Sequence, residues 1–345
     1  MPEFIDVRTE PGWDDAIGGT DAELFIGSRW AEVLADSFNV QVQASVERSA
    51  DGRVAAAVPF ACIDDVRGAR LAMLPFSDFV SPVGISDAAT WDRLVRPLLD
   101  LGRPMTFNTV AGTPAADDER FVADGGSVRH RIPLDGPADQ LFARFSSHHR
   151  RLIRKADRVG LRFGLAETRA DLRAFYELHL GVRRHRYGML AQPYTLFESL
   201  WDRFLEPGLG DLVLGFDGDT VVGGCLLLEA GDTFYYKYAA SHPDYRSAGA
   251  SHGAVMHAVG RGIERGLVAL DLGRSDTDQP GLVDFKRRFG AEVSELCRYR
   301  SKDQLFREAS EMDRLLTELT GLLTRPSVPD PITEQAGALL YRLFA

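Results

Sequence analysis

From residue 161 onward the apolar positions change period in a fixed succession. Residues 161–167 (LRFGLAE) read as a strand. Leu172, Phe175, Tyr176 and Leu180 then recur at helical spacing across 169–187. A second helix over about 194–206 stops at Pro207-Gly208. Three strands follow, at 211–216, 220–229 and 233–241. Asp217-Gly218-Asp219 turns the first into the second, and Gly231-Asp232 the second into the third. A helix at 250–265, a strand at 267–272, a helix at 281–288 and a strand at 291–300 complete the series. The predicted order is β-α-α-β-β-β-α-β-α-β.

The first half repeats this order loosely. A strand near 3–8 leads to a helix at 28–37, then strands near 39–48, 53–63 and 69–74. A helix at 90–101, a strand at 104–109, a short helix at 114–123 and a strand at 127–133 follow. Residues 137–159 read as a helix joining the halves, interrupted or capped at Ser146-Ser147. The tail reads as helical at 303–321 and 330–344, with Pro326, Pro329 and Pro331 between.

Composition adds few constraints. The chain has 345 residues, enough for two domains, with 45% hydrophobic and 26% charged residues. The acidic start MPEFIDVRTE does not read as a secretory signal, and no apolar run approaches a bilayer span. Cys62, Cys225 and Cys297 are far apart and read as reduced thiols, so a cytoplasmic location is expected. Metal binding is not expected: the adjacent His148 and His149 point apart on a helix and lack a third ligand.

Charge changes the picture more. Residues 144–186 hold twelve Lys or Arg against four acids, a local balance of +8 in a chain of net charge −10. Such a belt suits an anionic ligand, or else is a solvated helix face. The chain has four lysines (155, 237, 286 and 302) against 36 arginines. Lys237 and Lys286 are therefore candidates for work that a compact ammonium does better than a guanidinium.

The stretch from Phe234 to Glu292 concentrates the candidate chemistry. Strand 233–241 is followed by a turn with Arg246, Gly249, Ala250 and Ser251 that opens a helix. Free N–H groups at a helix start attract oxyanions, although Ser251 would also serve as a plain N-cap. Alternation predicts Tyr236 and Tyr238 on one face of the strand and Tyr235 and Lys237 on the other. Asp271 and Arg274 end a buried strand, where Asp271 either handles an acceptor amine or caps a loop and pairs with Arg274. No Gly-x-Ser-x-Gly, Walker or His-Glu-x-x-His motif is present, so hydrolase, NTPase and metalloprotease readings lack support.

The segments YKYAASHPDYR (236–246), LDLGRS (270–275) and DFKRRFGAE (284–292) resemble the GNAT acyltransferases. The doubled element order, the basic segment RLIRKADRVGL (151–161) and LPFSDFVSP (74–82) resemble the FemAB/FemX family of peptidoglycan-bridge aminoacyltransferases and related BioF2-like acetyltransferases. The long coiled-coil insertion of some bridge-forming members is absent. The resemblance implies two tandem GNAT-like domains of class α/β (α+β), each a mixed, mostly antiparallel sheet flanked by helices. It implies an acceptor-side domain at 1–136, a basic linker helix at 137–160, a donor-binding catalytic domain at 161–302 and a helical tail at 303–345.

The same resemblance implies acyl or aminoacyl transfer to an amine by direct attack, with no tightly bound cofactor. Acyl-CoA and aminoacyl-tRNA both remain open as the co-substrate, tRNA meeting the belt 144–186. The acceptor would be a small molecule or a cell-wall precursor. Catalytic roles fall to Lys286, as oxyanion stabiliser, and to Asp271 and Tyr238. Donor binding falls to Arg246, Gly249, Ala250, Ser251, Phe285 and Tyr245, with Tyr245 a second candidate acid. Acceptor binding falls to Lys237, Arg274, Arg183 and Arg186, and to Asp78 and Asn108 of the first domain. The alternative is a non-catalytic GNAT-fold module that binds an anionic ligand.

Overall fold

A computed structural model describes residues 2–302 and 307–345. The chain divides into two compact units: Met1–Val128 with Ser294–Leu319 and Arg342–Ala345, and Arg129–Val293 with Thr320–Tyr341.

The first unit runs β1 (Glu3–Asp6), α1 (Trp13–Ile17), α2 (Glu23–Ile26), α3 (Ser28–Phe38), β2 (Val42–Arg48), β3 (Val54–Asp65), β4 (Gly68–Ala72), α4 (Ala88–Leu99), β5 (Met105–Val110) and into β6 (Phe121–Pro133). Strands β1 to β4 pair antiparallel in sequence order, and α4 then carries the chain across to β5, parallel to β4. Two short helices, α1 and α2, escaped the periodicity because each spans about one turn; their buried Trp13, Leu24, Phe25 and Ile26 seat them. The helix expected at 114–123 is a 3-10 turn, Pro114–Asp117, and β6 begins at Phe121. Phe121 is buried with Phe107 and Trp91, so packing draws this segment into the sheet.

The second unit continues with α5 (Ala138–Arg144), α6 (Ser147–Arg158), β7 (Arg162–Leu165), α7 (Arg169–Gly181), α8 (Tyr194–Leu200), β8 (Gly210–Asp217), β9 (Thr220–Ala230), β10 (Thr233–Ser241), α9 (Ala250–Glu264), β11 (Ala269–Asp276) and α10 (Pro280–Arg287). Here too, four strands pair antiparallel in order, β7 to β10, and a helix, α9, carries the chain to a parallel fifth, β11. The repeat read from the sequence is thus a repeat of topology, and each unit has the mixed, mostly antiparallel sheet expected. The expected break at Ser146-Ser147 is a cap: Ser146 Oγ accepts the His149 N–H and starts α6. α7 ends in a π-helical turn, Val182–Arg186, and α8 in another, Trp201–Leu205.

One core cluster joins α9, the sheet and the helices over it: Val213, Cys225, Leu227, Phe234, Val255, Leu270 and Phe289, with Tyr236 packed on its edge. Tyr238 instead packs against His179 and Phe197 of α7 and α8, ring centroids 5.6 and 5.1 Å away. Tyr236 and Tyr238 therefore face opposite sides, against expectation. The cause is a β-bulge: Tyr236 pairs with Leu227 and Tyr238 with Leu226, leaving Lys237 as the extra residue and shifting the alternation.

Strand β12 (Glu292–Ser301) returns to β5 of the first unit, antiparallel. Of the predicted tail, residues 303–306 lie outside the described residues, and helices α11 (Arg307–Leu323) and α12 (Asp330–Leu340) follow. Buried Arg184, on the π-turn, binds Asp330 and the carbonyls of Arg325, Pro326 and Val328, while Arg173 clamps Glu334 at 2.7 and 2.8 Å. Replacing Arg184 by Met leaves those carbonyls without their donor. We expect a loss of about 2 kcal/mol in urea unfolding and faster proteolytic cleavage near residues 325–329, while Arg186→Met, at an exposed position over the Tyr187 ring, changes neither.

Candidate active site

Strands β10 and β11 pair over only three positions, Thr233↔Ala269, Phe234↔Leu270 and Tyr235↔Asp271. Beyond Tyr235 and Asp271 they are no longer paired, although each continues, β10 to Ser241 and β11 to Asp276. The bulge at Lys237 sits immediately past the parting. Two lengths of backbone that would have bonded each other thus flank one gap, and on the β11 side the Gly273 N–H and the Gly273 and Arg274 carbonyls take side-chain partners instead.

Lys286 of α10 stands at the β11 side of this gap, 7% exposed. Its Nζ donates to the Gly273 and Arg274 carbonyls at 3.1 and 2.8 Å. The preceding Phe285 is half-buried against His149, His252 and Phe289. Arg274 pairs with Asp276 at 2.7 Å, and Asp271 is 1% exposed. Its partner is Arg129 on β6, with Nε donating to Oδ2 at 2.6 Å, while Oδ1 accepts the Gly273 N–H at 2.7 Å. Next to Arg129, His130 is fully buried with neither ring nitrogen hydrogen-bonded. Burial first and the Lys286 charge second lower its pKa to about 4, so the ring is neutral. Arg129 and His130 were not singled out in the sequence; their one signal is the polar run Arg129-His130-Arg131 inside a strand.

The turn before α9 has the expected shape with different contacts. Gly249 is the N-cap, at φ +94°. A Cβ there would collide with the Leu152 carbonyl of α6, so this glycine lets two helices touch. Ser251 is not the cap; its hydroxyl bonds Ser241 at 3.0 Å. Ala250 is buried in a small apolar cluster with Ala156, Leu161 and Val222. No side chain caps α9, and the buried Arg246 Nε has no partner. The matching helix of the first unit, α4, is closed by its own carboxylate: Asp87 accepts the Thr90 N–H at 2.9 Å. Tyr245 is half-buried against the Ala250 cluster, and its hydroxyl donates to Asp217 at 2.6 Å, which raises its pKa.

α6 presents His149, Ile153 and Ala156 inward and Arg151, Arg154 and Arg158 outward, with Arg150 and Lys155 half-buried. Arg150 bonds the Ala143 carbonyl and Arg154 lies over the Phe142 ring. None of these five cations has a carboxylate partner among the described residues. By contrast, Arg48, Arg70, Arg93, Arg120, Arg173, Arg261 and Arg265 are all ion-paired.

The remaining predicted residues separate. Lys237 lies at the bulge and Tyr238 beside α7 and α8. Arg183 donates to the Leu190 carbonyl at 3.1 Å, and Arg186 is exposed over the Tyr187 ring. Asp78 and Asn108 belong to the first unit, where Asn108 Oδ1 is buried without a partner and the loop before Asp78 holds Leu74 and Phe76 at φ +60° and +62°.

Residues 143–287 match the family profile described as an acetyltransferase (GNAT) domain. The second unit thus carries a GNAT domain, and the chain is a GNAT-fold protein. Its fold is FemX-like: the crystal structure of FemX superposes with a TM-score of 0.60 at 16% identity, covering 91% of this chain and 100% of FemX. L-PGS from Bacillus licheniformis gives 0.56 at 13% identity, covering 93% and 99%. The C-terminal domain of a putative lysylphosphatidylglycerol synthetase from Agrobacterium fabrum gives 0.52 at 14%, covering 84% and 92%. No curated protein matches the chain in sequence. No helix among the described residues is long and apolar enough to cross a membrane.

Around the α6–α9 contact the His149 and His252 rings lie 4.6 Å apart, with His148 beside them. Burial, reinforced by the neighbouring histidines, lowers His149 to about 4 and His252 to about 3. Arg288 also disfavours the charged form of His149, and Asp284 favours it. An unfolded histidine takes its proton near pH 6.5. The folded state therefore binds fewer protons, so this contribution is complete above about pH 6.5 and is lost as pH falls toward 4. Each ring contributes up to about 1.4 kcal/mol per pH unit in that window. We expect the melting temperature to fall between pH 7 and 5, where carboxylates have barely begun to titrate, and His252→Phe to flatten that fall.

Proposed function

We propose that the protein is an acyltransferase that moves an aminoacyl or acyl group from an activated carrier to an amine. The acceptor nitrogen attacks the donor carbonyl in the gap between β10 and β11. The new C–N bond leaves a tetrahedral oxyanion, which collapses by expelling the carrier's hydroxyl or thiol, and the amine gives up one proton. The observation that carries this reading is the buried Lys286 ammonium beside the gap: a fixed positive charge in a dry site stabilises an oxyanion as it forms. The parted backbone of β10 and β11 supports it by offering hydrogen bonds to hold the donor in line. Tyr238 is the proposed acid for the leaving group. Lys237, Arg274, Arg183 and Arg186 are proposed for the acceptor, and Arg246, Phe285 and the α9 turn for the donor.

For the carrier, the uncompensated cations of α6 favour aminoacyl-tRNA. They sit on the helix that touches the α9 turn, and RNA phosphates are the partner that five unpaired cations in an acidic protein suit. FemX and the putative lysylphosphatidylglycerol synthetase, as fold relatives, lend the aminoacyl reading support. Acyl-CoA is the second reading, favoured by the uncapped α9 and the unpartnered Arg246 Nε, which suit a pyrophosphate. Closure of α4 by Asp87 supports the second unit rather than the first as the donor side. A cytoplasmic location accords with either carrier.

The test is a thermal-shift titration with total tRNA, acetyl-CoA and CoA at low and high salt, followed by transfer assays with Lys286→Met. Under the tRNA reading, tRNA raises the melting temperature, the effect fades with salt, and neutralising Arg150, Arg151, Arg154 and Arg158 to Gln abolishes it. A salt-resistant rise with CoA alone would replace it with the acyl-CoA reading. Lys286→Met should lower kcat by about 100- to 1,000-fold while ligand binding persists. Binding with no transfer by the wild-type protein to any amine would leave the non-catalytic module.

A further inference from the structure

We propose that Arg129 and Asp271 are positioning residues that set the ammonium of Lys286 through the turn at Gly273; the inference rests on the reading of Lys286 as the oxyanion-stabilising group. In an extended strand, successive carbonyls point to opposite sides. Yet the carbonyls of Gly273 and Arg274, neighbours in β11, both accept from Lys286 Nζ. They converge because Gly273 takes the left-handed conformation, φ +73°, which breaks the alternation. Asp271 holds that break in place, its Oδ1 accepting the Gly273 N–H at 2.7 Å. Arg129 in turn holds Asp271, Nε to Oδ2 at 2.6 Å.

The chain of contacts is continuous, from β6 through the β11 turn to α10. Its cost also argues for a role. The Arg129 and Asp271 side chains are 6% and 1% exposed, and a buried ion pair is seldom more stabilising than a well-packed apolar pair. Lys286 Nζ is held by two carbonyl dipoles of β11, while the Asp271 carboxylate of the same strand is held by Arg129. His130, beside Arg129 and neutral, adds no competing positive charge.

The scarcity of lysine makes this measurable without a substrate. The chain's four lysines allow nitrogen-15 labelling of lysine and direct observation of the side-chain ammonium signals, with Lys286→Arg assigning its own. In the wild type, burial and two carbonyl partners should give Lys286 a slowly exchanging signal. Arg129→Met and Gly273→Ala should each shift that signal or lose it to exchange with water, leaving the signals of Lys155, Lys237 and Lys302 in place. An unchanged Lys286 signal in a folded Arg129→Met protein overturns the proposal. If that variant does not fold, the near-isosteric Asp271→Asn takes its place with the same two outcomes. Transfer by Lys286→Met at the wild-type rate, together with a lost signal in Arg129→Met, would keep the positioning and reject the catalytic reading; the two failures are thus distinct.

Discussion

The parting of β10 from β11 is the constraint from which the candidate site follows. Their pairing ends at Tyr235 and Asp271, and each strand then needs its own reason to stay extended. β10 has β9 along its other side, joined through the bulge at Lys237. β11 has β6 along its other side, the Arg129–Asp271 pair at its last position bonded to β10, and the Lys286 ammonium bridging two of its carbonyls. Both strands are thus fixed at the parting by interactions that do not involve a ligand, as the proposed site requires. Preorganised groups stabilise developing charge without reorganising, and this is the largest physical benefit such a site can offer.

The helices set the chemistry at the edges of that gap. α9 begins uncapped at Gly249, and α6 lies against that point so closely that only glycine fits. The contact is sealed by neutral histidines from both helices, His149 and His252, with Phe285 and Phe289. With these rings neutral, the positive charge of α6 is carried by the outward Arg151, Arg154 and Arg158 and the half-buried Arg150 and Lys155. An apolar seal inside and an unpaired cationic face outside place the anion-attracting surface next to the proposed donor turn. In α4, the corresponding helix of the first unit, Asp87 occupies the equivalent position and the same field is spent on its own side chain.

Much of this was legible in the sequence, and the boundary is physical. Repeat topology, the hairpin turn at Gly218 and the cap at Ser146 all follow from local patterns: period, turn chemistry and capping chemistry. The bulge was not legible, because an extra residue in a strand leaves the composition unchanged; it moved Tyr238 to the face opposite Tyr236. Nor was the partner of Asp271. It comes from β6, 142 positions away in the chain, while a plausible neighbour, Arg274, stood three residues on and proved to pair with Asp276. Gly249 illustrates a third case: it was singled out for donor binding, whereas the contact that demands glycine there is a backbone carbonyl of α6.

The most direct measurement is amide hydrogen exchange across the chain with and without a donor, using acetyl-CoA and total tRNA in parallel. If the gap between β10 and β11 receives the donor, the binding species should slow exchange at 236–241 and 271–276 together, with the start of α9 following. Donor-induced protection confined to other segments, with these two strands unchanged, would contradict the account at its centre.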